Sequence, residues 1–167
     1  AADLARRQLS SLAQALGGVA GAPHFSSGAP GALSSLFLRG ANSNQTLFLV
    51  DGLRFNDPNT DYQLFLGGGY VGACDSLEVA HGPQSTLYGG EAVGGVVSLR
   101  AQRGAGEPTA SIGAEGGSFG TIQGSLTAQG ERDAWGYSFS ARGGHSDNER
   151  PNNAFTNANA VLRLDRT

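Results

Sequence analysis

The side chains that could do chemistry in this sequence are few and widely separated. Three histidines, His24, His81 and His145, have no carboxylate at the spacing expected of a metal or hydrolase site. Ser85 lies outside a Gly-x-Ser-x-Gly turn, so it does not have the setting of an esterase nucleophile. A lone cysteine, Cys74, excludes an internal disulfide and a cysteine-based zinc site. The sequence therefore predicts no enzyme, no metal and no cofactor.

Two loop motifs suggest ligand chemistry. The run 67–72 satisfies Gly-x-Gly-x-x-Gly. A dinucleotide site needs a helix directly after the glycines, whereas the next residues here predict a turn and a strand. The run is therefore interpreted as a chance match and not as a dinucleotide site. The run 57–61, Asp-Pro-Asn-Thr-Asp, has the oxygen spacing that begins a calcium loop. Tyr62 and Gly68 stand where an EF-hand has Gly and Glu. This run is either a cluster of turn residues or a polar loop at the mouth of a ligand site.

The composition favours a surface that meets lipid or other protein. Charged residues make up 15% of the chain, against about a quarter in typical soluble domains. The formal net charge is −3 and no basic run occurs, which argues against a nucleic-acid partner. Glycine accounts for 27 of 167 residues without a Gly-X-Y period, which indicates short strands and tight turns.

The first part of the chain predicts one helix and several short strands. A helix is predicted over 11–16, because Ser11 and Gln14 form a capping-box pattern and Gly17-Gly18 follows. Residues 19–35, rich in Gly, Ala, Pro and Ser, predict turn and loop. Apolar segments predict four strands, over residues 36–39, 46–50, 76–80 and 95–100, with a long connection over 52–75.

The pattern changes to alternation after about residue 108. Apolar residues alternate with small polar residues over segments near the length of a tilted membrane strand, about 10 residues. The segments are 109–115, 121–129, 135–142 and 158–164, and Val161 breaks the alternation in the last. Such strands suit a barrel wall between lipid and a wet lumen, although an ordinary antiparallel meander on a core gives the same pattern.

Four such strands are too few for a closed barrel. The smallest barrels have about eight strands, and lipid does not tolerate open sheet edges. We therefore expect either the N-terminal part of a longer protein or completion by other chains. The final residues, 164–167, read as part of a strand, which favours a truncated or split barrel.

Several glycine-anchored motifs follow one another between residues 9 and 100. One apolar strand ends in Arg39-Gly40 and the next in Asp51-Gly52. A strand containing Glu78 leads into Gly-Pro-Gln-Ser-Thr-Leu-Tyr-Gly over residues 82–89, and Gly94-Gly95 opens a last apolar strand. In this order and spacing the motifs resemble the plug domain of TonB-dependent outer-membrane receptors.

The resemblance implies a fold and its limits. We expect an α+β plug domain with a short mixed sheet over residues 1–107. Antiparallel strands of an incomplete transmembrane β-barrel are expected over 108–167. Within the family the sequence is most similar to cobalamin receptors, through residues 11–16, 31–40 and 50–54.

The resemblance also implies a function. The protein would be a bacterial outer-membrane receptor that imports a scarce ligand of the siderophore or cobalamin class, with the plug gating the barrel. Its partners would be the remaining barrel strands, in the same or another chain, outer-membrane lipid, an unidentified small-molecule ligand, and TonB by family resemblance. The alternative is a plug-like structural or interaction subunit of a larger outer-membrane assembly without transport activity.

Particular residues carry roles through the same resemblance. The residues expected to face the ligand are Ser34, Ser35, Asn59, Thr60 and Asp61. The plug would also present loops 41–46, 53–62 and 84–93 to the ligand. In the family, arginines before the motif glycines face carboxylates on the inner barrel wall and latch the plug. Arg39 matches the first arginine and Glu78 the family's glutamate, whereas His81 replaces the second arginine and predicts a weaker, pH-sensitive latch. Turns are expected at Gly40, Gly52, Gly82, Gly89 and Gly95.

Overall fold

The computed structural model describes residues 6, 11–28, 31–57 and 74–166. The chain divides into two compact units, Ala1–Gly28 with Ala32–Arg100, and Ala29–Gly31 with Ala101–Thr167. Within the described residues, no helix has the length and apolar character needed to cross a membrane. The domain limits at 107 and 108 stay a prediction.

The first unit begins with helix α1 (Leu12–Gly17), which confirms the helix predicted from the capping box. Ser11 Oγ accepts a hydrogen bond from the Gln14 amide, and Gln14 Oε1 accepts one from the Ser11 amide, both at 3.2 Å. A cap of this kind stabilises a helix by about 1 kcal/mol. The apolar side of α1 faces the core, where Leu16 is fully buried.

Strands β1 (His24–Ser26) and β2 (Ser34–Leu36) form a separate antiparallel pair. The predicted loop over 19–35 is therefore wrong at these residues, and the predicted strand over 36–39 is placed too late. After β2 the chain turns into left-handed backbone at Arg39, whose φ is 50°. Left-handed backbone cannot continue a strand, which is why an apolar run that looks extended ends early.

A four-stranded sheet of order β4-β3-β6-β5 forms the centre of the first unit. Its strands are β3 (Thr46–Val50), β4 (Leu53–Arg54), β5 (Cys74–His81) and β6 (Gly95–Ala101). Strand β3 is antiparallel to β4 and parallel to β6, so the sheet is mixed. The strands predicted over 46–50, 76–80 and 95–100 are confirmed, the last two with slightly wider limits.

Two short elements of this unit lie where the sequence patterns predict only connections. Strand β4 follows the turn Asp51-Gly52, whose φ angles of 49° and 82° are those of a type I′ hairpin turn. Helix α2 (Ser85–Tyr88) is a single turn of four residues. Asp-Gly after an apolar strand is itself a hairpin pattern, so β4 could have been predicted from the sequence.

Strand β3 supplies the core because both of its faces are buried. Phe48 and Val97 are fully buried in one cluster, which also includes the apolar side of α1. Leu47 and Leu49 lie on the other face, in a second cluster with β6. A continuous apolar run is what a strand covered on both faces requires.

The second unit is an antiparallel sheet of four strands in the order β10-β9-β8-β7. The strands are β7 (Thr109–Gly117), β8 (Thr121–Arg132), β9 (Trp135–Ser146) and β10 (Phe155–Arg166). They confirm the four strands predicted from the alternation, with wider limits. A turn of residues 133–134 joins β8 to β9, whereas the longer loop 147–154 joins β9 to β10.

The register of this sheet places the apolar residues of all four strands on one side. Ile112 pairs with Leu126, Leu126 with Ala141, and Ala141 with Ala160. The apolar face comprises Ala110, Ile112, Ala114, Ile122, Leu126, Ala128, Trp135, Tyr137, Phe139, Ala141, Ala158, Ala160, Leu162 and Leu164. The polar face, on the other side, includes Ser111, Glu115, Gln123, Ser125, Thr127, Gln129, Ser138, Ser140, Arg142, Asn157, Asn159, Arg163 and Asp165, together with the apolar Val161.

Candidate functional site

The structure brings two of the predicted latch positions together at one place in the first unit. Arg39 is exposed, and its amide donates to the Gly21 carbonyl at 3.1 Å. A Cβ built on Gly82 would lie 3.9 Å from Arg39 Nη1, and one on Gly21 would lie 3.9 Å from His81 Cε1. Arg39, His81 and Gly82 are therefore neighbours, although the sequence separates them widely.

His81, the last residue of β5, carries a buried ring atom without a hydrogen bond. Its Nδ1 is buried and finds no hydrogen-bond partner among the described residues. A buried polar atom left unpaired costs about 1–3 kcal/mol, so such atoms usually have a reason. A partner outside the described residues would recover this cost.

Glu78 lies on β5, which forms an edge of the mixed sheet. The side chain is exposed, and Ser76 Oγ donates to its Oε1 at 3.3 Å. Within the described part of the chain, neither Glu78 nor Arg39 forms an ion pair. Both charges remain available to groups elsewhere.

The predicted ligand residues have different surroundings. Ser34 is buried, and its hydroxyl donates to the Ala32 carbonyl at 3.0 Å, so it is used within the plug. Ser35 is half-buried and pairs with Phe25 across β1 and β2. The predicted residues Asn59, Thr60 and Asp61 lie outside the described residues.

Arg54 connects two of the predicted ligand loops, a role that sequence reasoning missed. Its guanidinium donates to the Tyr88 carbonyl and lies 3.7 Å from Glu91 Oε2. Gly89 has a φ of 89°, and a Cβ there would approach Arg54 Nη2 to 3.1 Å. The β3–β4 hairpin and the α2 loop therefore meet at Arg54, and glycine at position 89 leaves room for the guanidinium.

Asn56 was also missed, and it fixes the start of the long connection. Its Oδ1 accepts from the Phe48 amide at 2.7 Å, and its Nδ2 donates to the Thr46 carbonyl at 2.9 Å. The side chain thus extends the β4 pairing along β3 in place of backbone. It holds the point from which residues 58–73 depart.

The five predicted turn glycines all have positive φ. The angles are 79° at Gly40, 82° at Gly52, 89° at Gly82, 89° at Gly89 and 153° at Gly95. The closest approach is at Gly95, where a Cβ would lie 2.3 Å from the Ala80 carbonyl oxygen. A side chain at Gly95 is therefore incompatible with the pairing of β5 and β6.

In the second unit, residues 101–106 lie against the polar face, and we call this segment the tether. Gln102 Nε2 donates to Gln129 Oε1 at 2.9 Å, and Ser138 Oγ donates to the Gln102 carbonyl. Arg163 Nη1 donates to the Ala101 carbonyl at 3.0 Å. These partners stand on three different strands, so they become a group only through the sheet register.

Arg163, which binds the tether, is itself fixed by contacts with Asp165. Arg163 forms two hydrogen bonds with Asp165, of 2.7 Å from Nε and 3.0 Å from Nη2. Arg103 Nε lies 3.7 Å from the same carboxylate. Two-point binding fixes the plane of the guanidinium, which aims the remaining nitrogen at the tether.

Polar side chains also bond to one another across the polar face. Arg142 donates to Gln123 and approaches Glu115 Oε2 at 3.5 Å, and Ser111 and Thr127 hydroxyls lie 2.6 Å apart. Such cross-strand polar pairs stabilise a face that meets water rather than a core. They suit the wet side of a barrel wall.

The thiol of Cys74 has low reactivity at neutral pH. Burial, reinforced by the Asp51 and Asp75 carboxylates, raises its pKa to about 11. A thiol with this pKa is almost wholly protonated at neutral pH and is a poor nucleophile and metal ligand. Among the described residues, no group of three or more potential metal ligands occurs.

The family model of the TonB-dependent receptor plug domain matches residues 1–96. The chain therefore belongs to this family, and the resemblance drawn from the glycine-anchored motifs is confirmed. The chain is 39% identical over 80 residues to the vitamin B12 transporter BtuB of Vibrio vulnificus (strain YJ016). That match covers 45% of this chain and 12% of the relative, so the similarity is to a small part of a much longer protein.

Solved structures share the fold. The pyoverdine outer membrane receptor FpvA from Pseudomonas aeruginosa PAO1, bound to pyoverdine, matches with a TM-score of 0.77 and 14% identity, over 95% of this chain and 23% of that chain. The ferric-catecholate import receptor Fiu from E. coli K12 matches with a TM-score of 0.74 and 19% identity, over 96% of this chain and 23% of that chain. The predicted fold class, a mixed-sheet plug followed by antiparallel barrel strands, is confirmed.

Proposed function

We propose that this chain is the plug and the first barrel strands of an outer-membrane receptor that imports a scarce small ligand. The observation that carries the proposal is the pair of in-register faces on β7–β10, directly after a plug of the receptor family. On the apolar face, Ile112, Ile122 and Leu162 are 87%, 69% and 66% exposed. A sheet packed on its own core would cover these side chains, whereas a barrel wall turns them to lipid.

The plug, residues 1–107 in this proposal, would gate the barrel that begins at residue 108. Arg39, His81 and Glu78 would latch it to carboxylates and donors on the inner wall. The exposed, unpaired charges of Arg39 and Glu78 within the described residues support this role, as does the unpaired Nδ1 of His81. Because an imidazole stands at position 81 where the family has an arginine, the latch would be weaker than one made with two arginines.

The ligand would belong to the siderophore or cobalamin class. The similarity to a vitamin B12 transporter supports the cobalamin branch, and the likeness to siderophore receptors supports the fold alone. Ser35, with the loop that carries Asn59, Thr60 and Asp61, would contact the ligand. Arg54 and Asn56 would hold the loops that present these residues.

The partners would be the remaining barrel strands, outer-membrane lipid, the ligand, and TonB as the source of force. The chain would perform no covalent chemistry. Membership of the receptor family favours this reading over a plug-like subunit without transport. The site of action would be the bacterial outer membrane, with the plug inside the barrel.

The test is ligand uptake by the full-length protein in cells that lack other receptors of this class. Labelled cyanocobalamin and labelled ferric siderophores are supplied to cells with and without TonB. We expect TonB-dependent uptake of one of the two classes, and a weaker ligand affinity for Ser35→Ala. Protein that resides in the outer membrane but neither binds nor imports either class would contradict transport and support the structural subunit.

A further inference from the structure

Two arginines and a tryptophan form one row at an end of the apolar face. Arg132 of β8 pairs with Trp135 of β9, and Trp135 pairs with Arg166 of β10. Directly opposite residues on antiparallel strands have their Cβ atoms about 5 Å apart and point to the same side. Arg132 and Arg166 therefore flank Trp135 on the two neighbouring strands, and we call these three residues the Arg-Trp-Arg row.

The row is open and its positive charges are not neutralised. Arg132, Trp135 and Arg166 are all exposed, and Arg166 Cζ lies 6.0 Å from the centre of the Trp135 ring. In the part of the chain that the structure describes, no carboxylate forms an ion pair with either arginine. Asp133, the next residue in the turn, also makes none. The row thus presents two positive charges and an amphipathic ring.

The neighbouring rows of the same face are apolar. The next pairs along the strands are Tyr137 with Leu164, and Phe139 with Leu162. Leu164 and Leu162 are 63% and 66% exposed. Moving along β10 from Arg166, the surface therefore changes from cationic to hydrocarbon within one row. This order matches an amphiphile with an anionic head and apolar tails.

The lengths of the turns and loops between the strands indicate on which side of the membrane the row lies. It lies beside the two-residue turn 133–134, whereas the opposite end of the sheet carries the three-residue turn 118–120 and the longer loop 147–154. In outer-membrane barrels the short turns are periplasmic and the long loops extracellular. The Arg-Trp-Arg row therefore belongs to the periplasmic leaflet if the strands are a barrel wall, so the inference rests on the proposed function.

We propose that the Arg-Trp-Arg row binds the phosphate of a glycerophospholipid in the periplasmic leaflet of the outer membrane. Guanidinium groups bind phosphate oxygens through paired hydrogen bonds, and Trp135 sits at the level of the head group, where tryptophan is favoured. The acyl chains lie along Leu164 and Leu162. The lipid would hold the periplasmic rim of β8–β10 in register with the membrane surface.

Native mass spectrometry of the purified full-length receptor tests this site, with dioleoylphosphatidylglycerol as the probe. The double variant R132Q/R166Q should lower the occupancy of bound lipid at least fivefold, and Trp135→Leu should lower it about threefold. The control R100Q/R150Q removes the same charge from two exposed arginines outside the row and should change occupancy less than twofold. Equal lipid occupancy in R132Q/R166Q and the control would overturn the proposal.

Two further measurements separate the possible failures. Glycerol 3-phosphate at the same concentration should give no adduct, and an adduct equal to that of the lipid would mean a phosphate site without a lipid. Outer-membrane fractionation is run on the same preparations. Protein that inserts but loses no lipid in R132Q/R166Q refutes the row alone, whereas protein absent from the outer membrane refutes the proposed function.

Discussion

The substitution Gly104→Ala, which adds one methyl group, should detach the tether from the sheet. A Cβ there would lie 2.0 Å from the Tyr137 carbonyl oxygen and 2.3 Å from its amide nitrogen, both of them backbone atoms. Real Cβ contacts are not this short, so Gly104→Ala must move the tether away from β9. The movement breaks the bonds that Arg163, Gln129 and Ser138 make to residues 101 and 102.

The magnitude follows from the kinds of bond that are lost. One is made by a charged donor, worth about 1.5–3 kcal/mol, and the two neutral bonds contribute about 0.5–1.5 kcal/mol each. The tether should therefore lose about 2.5–6 kcal/mol of local stability. Since about 1.4 kcal/mol is a tenfold change in an equilibrium, local opening should rise at least about fiftyfold.

Hydrogen exchange in the full-length protein measures this opening. The Glu131 amide donates to the Gly106 carbonyl at 2.9 Å and reports on the end of the tether. Its exchange should accelerate in Gly104→Ala. The control is Gly90→Ala, because a Cβ at Gly90 meets nothing within 4 Å and its backbone is not left-handed. Unchanged exchange of Glu131 in Gly104→Ala would refute the account of the tether.

Three further predictions concern the plug. Phe48→Ala should destabilise it by about 3–5 kcal/mol, because Phe48 is fully buried, and the plug should become protease-sensitive while the barrel stays intact. Ser11→Ala should cost about 1 kcal/mol, read from the denaturant midpoint of the plug, and an unchanged midpoint would contradict the cap. Cys74, with its pKa raised to about 11, should react slowly with maleimide at pH 7 and faster as the pH approaches 11. Because the fold favours the neutral thiol, its stabilising contribution is complete below about pH 8.5 and is lost as the pH rises through 11; pH-independent labelling would contradict this.

The sequence predicted those parts of the fold that local patterns determine. Alternation over about ten residues defines a strand with two different faces, so β7–β10 were placed correctly. Strand β3 was recognised with its observed limits because Leu47 to Val50 form a continuous apolar run, as a strand buried on both faces requires. Helix α1 was found through Ser11 and Gln14, whose capping box is present in the structure.

The errors occur where a single backbone angle or a very short element decides the structure. Strands β1 and β2 have three residues each, too few for a periodic pattern. The left-handed backbone of Arg39 ends an apolar run that the sequence alone reads as extended. The single-turn helix α2 is likewise too short to show a helical period.

The functional groups that were missed depend on contacts between distant elements. Gln129, Ser138 and Arg163 look like ordinary polar residues of alternating strands, and only the register of β8, β9 and β10 brings them to the tether. Arg54 likewise binds a carbonyl group of α2, a helix that was not predicted from the sequence. Arg39 and His81 were singled out through family motifs, and the structure adds their proximity to each other.

The measurement that tests the central claim most directly is spin-label accessibility along β7–β10 in the full-length protein in membranes. Labels are placed in turn at neighbouring positions, such as Ser111 and Ile112 on β7, and Ser125 and Leu126 on β8. We expect the accessibility of the labels to alternate from one residue to the next. Labels on the apolar face should be reached by oxygen dissolved in the lipid, and labels on the polar face by an aqueous nickel chelate. Apolar-face labels shielded from both reagents would show a sheet packed on a protein core and would contradict the barrel wall.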